Sequence, residues 1–294
     1  MTSYFIERKE EILPRISSVQ KYQKLSKYSR EALKENYLWF SNLSSFNDPF
    51  EGMVKYAPLS NAELIFSNEL MHPWNLPGKD EIQLRELLYK DERAFFLRYE
   101  KIYRDWYEEL LRKSRIKGYH CLFTTLKNGE NKTAEEDILM WAHYTDGMKG
   151  FRINYDPEVL FEGFPEGMDV YFISYIENPV TVDLAQEFYN LQRSPSAGRY
   201  TSVHEETLFQ TKSIHWKYEA ELRLRLERSG KWVSPSGCIK SIDFGYRMSD
   251  REITAVQRLV KYHHPSVRFY RALPSKNEFR IELVPCPDVT QNTI

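Results

Sequence analysis

The segment WKYEAELRLRL, residues Trp216–Leu226, alternates apolar and charged residues with a period of two. This period is typical of a β-strand that buries one face. Leu222 and Leu224 fall on the apolar face. The opposite face carries Lys217, Glu219, Glu221, Arg223 and Arg225. Two interpretations of this charged face stay open from the segment alone: a solvated surface, or the wall of a cleft.

The composition indicates a globular protein with a substantial core. The chain has 294 residues, of which 41% are hydrophobic and 28% are charged. A net charge of -1 predicts no general attraction to nucleic acid or to anionic membranes. The three cysteines, Cys121, Cys238 and Cys286, have no paired spacing, which favours a reducing compartment. No apolar run is long enough to span a bilayer. We therefore expect a cytoplasmic protein that does not bind membranes.

The strand patterns are not regularly separated by helices, so we predict an α+β fold with a mainly antiparallel sheet. Strands are expected at residues 119–125 and 151–155, among others. Apolar residues recur with helical spacing in the stretch from Pro77 to Gly118. Because no repeat or low-complexity linker is found, we predict one catalytic-type domain over residues 1–294, with a helical insertion at about 59–117.

Common catalytic motifs are absent from the sequence. It contains no GxGxxG, P-loop or GxSxG motif, and its histidines lack metal-ligand spacing. Cys121 with His143 is a weak candidate for a Cys–His nucleophile. Three polar segments remain: FNDPFEG (Phe46–Gly52), MWAHYTDGMKG (Met140–Gly150), and the Trp216–Leu226 segment with Lys212 before it. Each segment also has a purely structural interpretation, as a turn, a core helix, or surface ion pairs.

Taken in order, three longer stretches resemble a bacterial family whose domain has no known function. They are LWFSNLSSFNDPFEG, ILMWAHYTDGMKGF and KSIHWKYEAELRLRL. The family's hallmarks are an FNDPFE turn, an MWxHY helix and a final WxYExExR strand. The resemblance covers roughly Lys21 to Pro285.

The layout of this family is similar to that of ADP-ribosyltransferases, especially toxins that modify DNA. The resemblance implies a split sheet that binds NAD, and a catalytic glutamate on a late strand. Glu221 or Glu219 would be that glutamate, with Arg223 as its orienting partner. The Arg or His expected on the first strand is missing, and Lys21 and Tyr22 stand in its place. The residues that the resemblance assigns to NAD binding are Lys21, Tyr22, Ser41, Asn47, Asp48, Trp141, His143, Tyr144 and Lys212.

The implied function is a transferase that uses NAD to modify nucleic acid or protein, without a metal, as a toxin or phage-defence effector with an antitoxin partner. A carboxylate fixed on a strand suits this chemistry, because cleavage of the nicotinamide–ribose bond develops positive charge on the sugar.

Two alternative functions stay open. One is a metal-dependent nuclease with Asp48, Glu51, Glu219 and Glu221 around Mg²⁺. The other is a non-catalytic module that binds a nucleotide or a protein partner.

Overall fold

The computed structural model describes residues 9–71, 81–127, 134–193 and 207–288. Within these ranges, no helix has both the length and the apolar character needed to cross a membrane. The expected cytoplasmic location stays a prediction.

The chain divides into two compact units. The sheet unit comprises Phe5–Ser45, Lys117–Tyr175 and Ile214–Ile294. The helical unit contains Phe46–Ile116 and Ile176–Ser213. The helices predicted at about 59–117 therefore share a compact unit with a second stretch of chain. Their description as an insertion in a single domain stays a prediction.

Helices and strands are mixed along the chain, which confirms the predicted α+β class. The labelled helices are α1 Lys9–Ile12, α2 Lys27–Glu35, α3 Ala62–Met71, α4 Glu81–Lys90, α5 Glu92–Arg115, α6 Ala134–Tyr144, α7 Pro157–Glu162, α8 Leu184–Arg193 and α9 Asp250–His263. The strands are β1 Ile16–Gln23, β2 Tyr37–Phe40, β3 Val54–Tyr56, β4 Gly118–Leu126, β5 Phe151–Tyr155, β6 Asp169–Phe172, β7 Ser174–Ile176, β8 Val180–Val182, β9 Thr211–Ser213, β10 Glu221–Leu226, β11 Gly230–Val233, β12 Ile239–Gly245, β13 Arg268–Pro274 and β14 Ile281–Pro285.

An eight-stranded sheet organises the sheet unit, in the order β14-β13-β12-β5-β1-β4-β10-β6. Strands β12 and β13 run parallel, and the other neighbouring pairs are antiparallel. The predicted mainly antiparallel sheet is therefore confirmed.

The two faces of this sheet differ in chemistry. One face packs into a large apolar core with residues of α2, α7 and α9. The strand residues in that core include Leu122, Ile153, Leu222, Leu224, Ile242 and Phe244. The other face carries buried charged side chains beside a smaller aromatic cluster that includes Met140 and Trp141 of α6. The period-two pattern of β10 places its leucines in the core and its charged residues on the second face.

The strand predicted from Trp216 begins only at Glu221. Residues Ile214–Glu219 form a 3₁₀ turn instead, and Ala220 adopts a left-handed backbone with φ 46°. An alanine at positive φ cannot continue a strand, so the chain turns sharply before β10. The prediction that Glu219 and Glu221 share one strand face is therefore wrong.

Aromatic side chains fill the interior of the helical unit. Tyr99, Tyr103 and Tyr107 repeat every fourth residue along α5 and are fully buried. The ring of Tyr103 stacks on Phe188 of α8 with centroids 4.9 Å apart. The residues that recur with helical spacing along this helix are thus packed in the interior of the unit.

Candidate functional site

The corner formed by Glu219, Ala220 and Glu221 is clamped by its neighbours. The carbonyl of Ala220 accepts hydrogen bonds from the backbone N–H of Thr124 at 3.1 Å and from its hydroxyl at 2.9 Å. The N–H of Glu221 donates to the hydroxyl of Tyr175 at 2.9 Å. These bonds hold a backbone conformation that a non-glycine residue adopts at a cost. Both glutamates are about 1% exposed.

Glu221 forms a buried ion pair with Arg223. The Nε atom of Arg223 donates to Oε1 of Glu221 at 2.6 Å, and neither side chain is exposed. Arg225 makes a second pair on the same sheet face, to Asp169 at 2.7 Å. The solvated-surface interpretation is therefore wrong for Glu219, Glu221, Arg223 and Arg225, which lie inside the protein, whereas Lys217 is exposed.

Tyr144 links Glu219 to the aromatic cluster. Its hydroxyl, at the end of α6, donates a short hydrogen bond to Oε1 of Glu219. Its ring lies 5.3 Å from that of Phe123, measured between centroids. Phe123 is the residue of β4 directly opposite Glu221 on β10. Phe123 therefore lies close to both glutamates: Glu219 bonds to Tyr144, whose ring contacts Phe123, and Glu221 lies opposite Phe123 in the sheet.

Tyr22 and Trp141 complete this cluster. The ring of Tyr22 lies 5.7 Å from Phe123 and 5.4 Å from Trp141, in edge-on contacts. Both side chains are buried, and the indole Nε1 of Trp141 has no hydrogen-bond partner among the described residues. Burial raises the pKa of Tyr22, with Asp137 adding to the rise and Arg152 opposing it. A buried N–H without a partner is a candidate donor to a ligand.

Beside this cluster, β1 stops pairing with one of its two neighbouring strands. Strand β1 pairs with β4 from Ile16 to Gln20, whereas its pairing with β5 continues to Gln23. Beyond Gln20, the ammonium of Lys21 donates to the carbonyl of Cys121 at 2.6 Å. Ser41 then exchanges two backbone hydrogen bonds with Tyr119, at 2.9 and 2.7 Å. Lys21 and Ser41 thus both bond to β4, at Cys121 and Tyr119, two and four residues before Phe123.

His120 of β4 is a buried residue that the sequence did not single out. Its Nδ1 lies 2.9 Å from the carbonyl of Trp39, and its Nε2 has no partner among the described residues. Burial, followed by the positive charge of Lys21, lowers the pKa of His120 well below its ordinary value. The hydrogen bond to Trp39 and the charge of Glu221 act in the opposite direction. The signal in the sequence that could have pointed to His120 was its position within the strand predicted at residues 119–125.

A second buried network centres on Arg152 of β5, on the sheet face that carries Glu221. Arg152 was also not predicted from the sequence. Its Nε donates to Oδ2 of Asp243 at 2.8 Å, and its Nη1 donates to the hydroxyl of Tyr22 at 3.0 Å and to Asp137 at 3.1 Å. Asp243 also accepts from Asn154 at 2.7 Å. The network fixes the hydroxyl of Tyr22 and the start of α6. In the sequence, Arg152 directly follows the ILMWAHYTDGMKGF stretch, and this position was the only signal for it.

Of the other predicted residues on α6, His143 is exposed. Its ring stacks on Tyr218 with centroids 5.9 Å apart, and Tyr218 in turn contacts Trp216 at 6.0 Å. Cys121, its candidate partner as a nucleophile, lies opposite Arg223 in the sheet. The His143–Tyr218 stack joins α6 to the 3₁₀ turn that carries Glu219.

Three predicted NAD-binding residues belong to the helical unit. Asn47 is exposed, and Asp48 is buried in the FNDPFE turn, where its Oδ1 accepts from the N–H of Phe50 at 2.9 Å. Lys212 is 6% exposed on β9 and lines a cavity of this unit. The NAD assignment of these residues, like those in the sheet unit, stays a prediction.

The carboxylates proposed for a nuclease also divide between the units, with Asp48 and Glu51 in the helical unit and Glu219 and Glu221 in the sheet unit. Within the ranges that the structure describes, no group of three or more His, Cys, Asp or Glu side chains is arranged to hold a metal ion.

Comparison with known proteins gives one family match. The model of a family described as "Protein of unknown function (DUF2971)" matches residues 140–224. The predicted resemblance to a domain family of unknown function is therefore confirmed over this segment, which contains the MWxHY motif and the Glu219–Arg223 corner. No curated protein and no solved structure matches the chain.

Proposed function

We propose that the chain is an ADP-ribosyltransferase-like enzyme that uses NAD as a substrate, with Glu221 as its catalytic carboxylate. The observation that carries this proposal is the clamped Glu219–Ala220–Glu221 corner. It fixes a buried carboxylate at the first residue of a strand, beside an aromatic cluster. Rigid placement of this kind is what electrostatic stabilisation of a transition state requires.

The residues around Glu221 suit a dinucleotide that carries a cationic nicotinamide ring. Tyr22, Phe123 and Tyr144 offer aromatic surfaces for such a ring. The indole N–H of Trp141, which lacks a partner, is a suitable donor to the carboxamide oxygen. The end of the β1–β4 pairing just before Lys21 supports the same placement of NAD, because the resemblance puts NAD in a split between two strands.

In the proposed reaction, the bond between the nicotinamide nitrogen and C1′ of the ribose breaks, and nicotinamide leaves with the bonding electrons. A nucleophilic nitrogen or oxygen of the acceptor then bonds to C1′ and loses its proton. Glu221 stabilises the positive charge that develops on the ribose. Arg223 holds the Glu221 carboxylate in one orientation through the 2.6 Å bond. Glu219 orients the acceptor or a ribose hydroxyl.

Substrate access requires a local opening, because both glutamates are covered in this structure. The contacts that join α6 to the turn carrying Glu219 include the Tyr144–Glu219 hydrogen bond and the His143–Tyr218 stack. Separation of α6 from this turn would expose Glu219 first. The proposed enzyme therefore binds NAD with displacement of the Tyr144 hydroxyl from Glu219.

The Glu221–Arg223 pair favours the transferase over a metal-dependent nuclease. A nuclease carboxylate must offer its oxygen atoms to a cation, whereas Arg223 already neutralises that of Glu221. The acceptor in the proposed reaction is a nucleic acid or a protein, which fits a toxin or a phage-defence effector.

The direct test is to incubate the purified chain with NAD labelled on the adenylate phosphate, with and without nucleic acid, cell lysate and EDTA. We expect nicotinamide release, or transfer of label to an acceptor, that is unaffected by EDTA. Activity on nucleic acid that disappears with EDTA and returns with Mg²⁺ would replace the transferase with the nuclease. If the chain neither consumes NAD nor shows an NAD-dependent shift in melting temperature, the non-catalytic binding module becomes the better account.

A further inference from the structure

A cavity of about 280 Å³ lies wholly within the helical unit. Strands β3 and β8 run parallel, so the segments that enter them lie at the same edge of the pair. Gly52 and Met53 precede β3, and Glu177 to Pro179 precede β8. Residues of β9 form a third wall. The cavity is therefore built from three separate stretches of chain, one of which is the FNDPFE turn.

The FNDPFE turn contributes Phe50 to the lining of this cavity. Phe50 is 60% exposed, so its ring is accessible to a ligand. Its backbone N–H is fixed by the buried carboxylate of Asp48. Gly52 follows in the left-handed region at φ 68°, where an added Cβ would lie 3.1 Å from the ring of Phe209. The turn thus uses a buried carboxylate and a required glycine to present an exposed aromatic ring.

The stretch of the lining that belongs to β9, Thr211–Ser213, is polar and includes a cation. Lys212, on β9, lines the cavity although it is only 6% exposed. The hydroxyl-bearing Ser213 lies next to it in the lining. Glu177 and Asn178 line the cavity from the β8 side and are exposed. One wall therefore offers an aromatic face, and another offers a cation with hydrogen-bonding groups.

We propose that this cavity binds a single nucleotide, with its base against Phe50 and its phosphate at Lys212. An aromatic side chain stacks on any base, and a lysine ammonium is a suitable partner for a phosphate. Glu177 and Asn178 supply an acceptor and an amide for the edge of the base. The volume is near the lower end of the roughly 300–1,000 Å³ of ligand pockets, which suits one nucleotide better than a dinucleotide.

Nucleotide binding at this cavity is independent of the proposed transferase reaction, and it gives Lys212 a role other than the predicted contact with NAD. The ligand has two sources in a cell: a free mononucleotide, or a nucleotide within a single-stranded nucleic acid. Both share the base and phosphate that the two walls recognise.

The test measures binding of two probes, a mixture of the four deoxynucleoside 5′-monophosphates and a fluorescently labelled single-stranded DNA 12-mer of mixed sequence. The variants are Phe50→Ala, Phe50→Trp, and Tyr89→Ala as a control. Tyr89 is an aromatic residue of the same unit that is 83% exposed and does not line the cavity. Because both positions, Phe50 and Tyr89, are exposed, the three variants should keep the melting temperature of the parent chain. Competition with NAD is measured in parallel.

We expect Phe50→Ala to weaken binding roughly 5- to 100-fold, while Phe50→Trp and Tyr89→Ala stay near the parent affinity. Binding of the monophosphates with this pattern supports a free nucleotide as ligand, and binding of the 12-mer alone supports a nucleic acid. The proposal is overturned if neither probe binds, or if Phe50→Ala and Tyr89→Ala are equivalent. It is also overturned if NAD alone binds in a Phe50-dependent manner, since the cavity would then belong to the NAD site.

Discussion

Arg223 and Glu221 lie two residues apart on β10 and form an ion pair of 2.6 Å from which solvent is excluded. Their cross-strand neighbours are Cys121 and Phe123 of β4, and Tyr171 of β6 opposite Arg223. Burial raises the pKa of Tyr171 well above its ordinary value, so this neighbour stays neutral beside the pair. Glu221 and Arg223 therefore stabilise each other inside the protein beside a neutral neighbour, and a change to either residue also affects the other.

The first prediction concerns the stability of this pair. Arg223→Met removes the guanidinium that lies 2.6 Å from the buried carboxylate of Glu221, and we expect a loss of about 3–5 kcal/mol in the free energy of unfolding. The double variant Glu221→Leu/Arg223→Met removes both charges and should lose clearly less. Urea denaturation of the two variants checks this order. A double variant less stable than the single one would show that the pair stabilises the fold more than apolar packing does.

The second prediction concerns the corner before β10. At φ 46°, Ala220 is in a region that glycine occupies without cost and that β-branched residues avoid. Ala220→Gly should therefore be neutral or stabilising by up to about 1 kcal/mol, whereas Ala220→Val should destabilise the chain by at least that amount. Thermal melting of both variants provides the comparison. Equal effects of Gly and Val would mean that the left-handed corner is not under strain.

The third prediction concerns pH and His120. Because the pKa of His120 is lowered in the folded state, the unfolded chain binds a proton first as the pH falls. The contribution of His120 is therefore complete above about pH 6.5 and decreases as the pH falls below that value towards the folded pKa. Within this window, the slope from one proton approaches about 1.4 kcal/mol per pH unit.

His120→Gln should flatten this pH dependence, which urea denaturation between pH 5 and 7.5 would measure. The exposed His215 serves as the control position, and His215→Gln should keep the slope of the parent chain. An unchanged slope in His120→Gln would contradict a buried, neutral His120.

The fourth prediction concerns the contact between α6 and the 3₁₀ turn. Tyr144→Phe keeps the ring beside Phe123 but removes the hydroxyl that donates to Glu219. A lost hydrogen bond to a buried carboxylate should cost about 1–3 kcal/mol of stability. Tyr246→Phe, at a residue that is 42% exposed, is the matched control and should be neutral. Equal melting temperatures for the two variants would show that the Tyr144 hydroxyl does not hold the turn.

Much of the sheet could be predicted from local alternation. Leu222 and Leu224 enter the core as the period of two predicted, and the strand expected at 151–155 contributes Phe151, Ile153 and Tyr155 to the same core. The start of β10 could not be predicted in this way. The alternation continues back to Trp216 in the sequence, and nothing local shows that Ala220 is left-handed.

Only part of the candidate site could be predicted from the sequence. The motifs pointed to Glu219, Glu221 and Tyr144, which the structure brings together around Phe123. The Arg152–Asp243 pair joins residues 91 positions apart, and His120 acquires its environment from Trp39. Such contacts depend on strand order, which a single sequence does not encode locally.

The most direct test of the central claim is the rate of nicotinamide release from NAD by the parent chain, Glu221→Gln and Asp169→Asn. Asp169→Asn is the matched control, because it weakens the neighbouring pair with Arg225 on the same sheet face. Circular dichroism must first show that both variants are folded. We predict that Glu221→Gln lowers the rate on the order of 100-fold or more, as expected for a lost electrostatic group, while Asp169→Asn stays within several-fold of the parent chain. A folded Glu221→Gln variant that releases nicotinamide at the parent rate would contradict the assignment of Glu221 as the catalytic carboxylate.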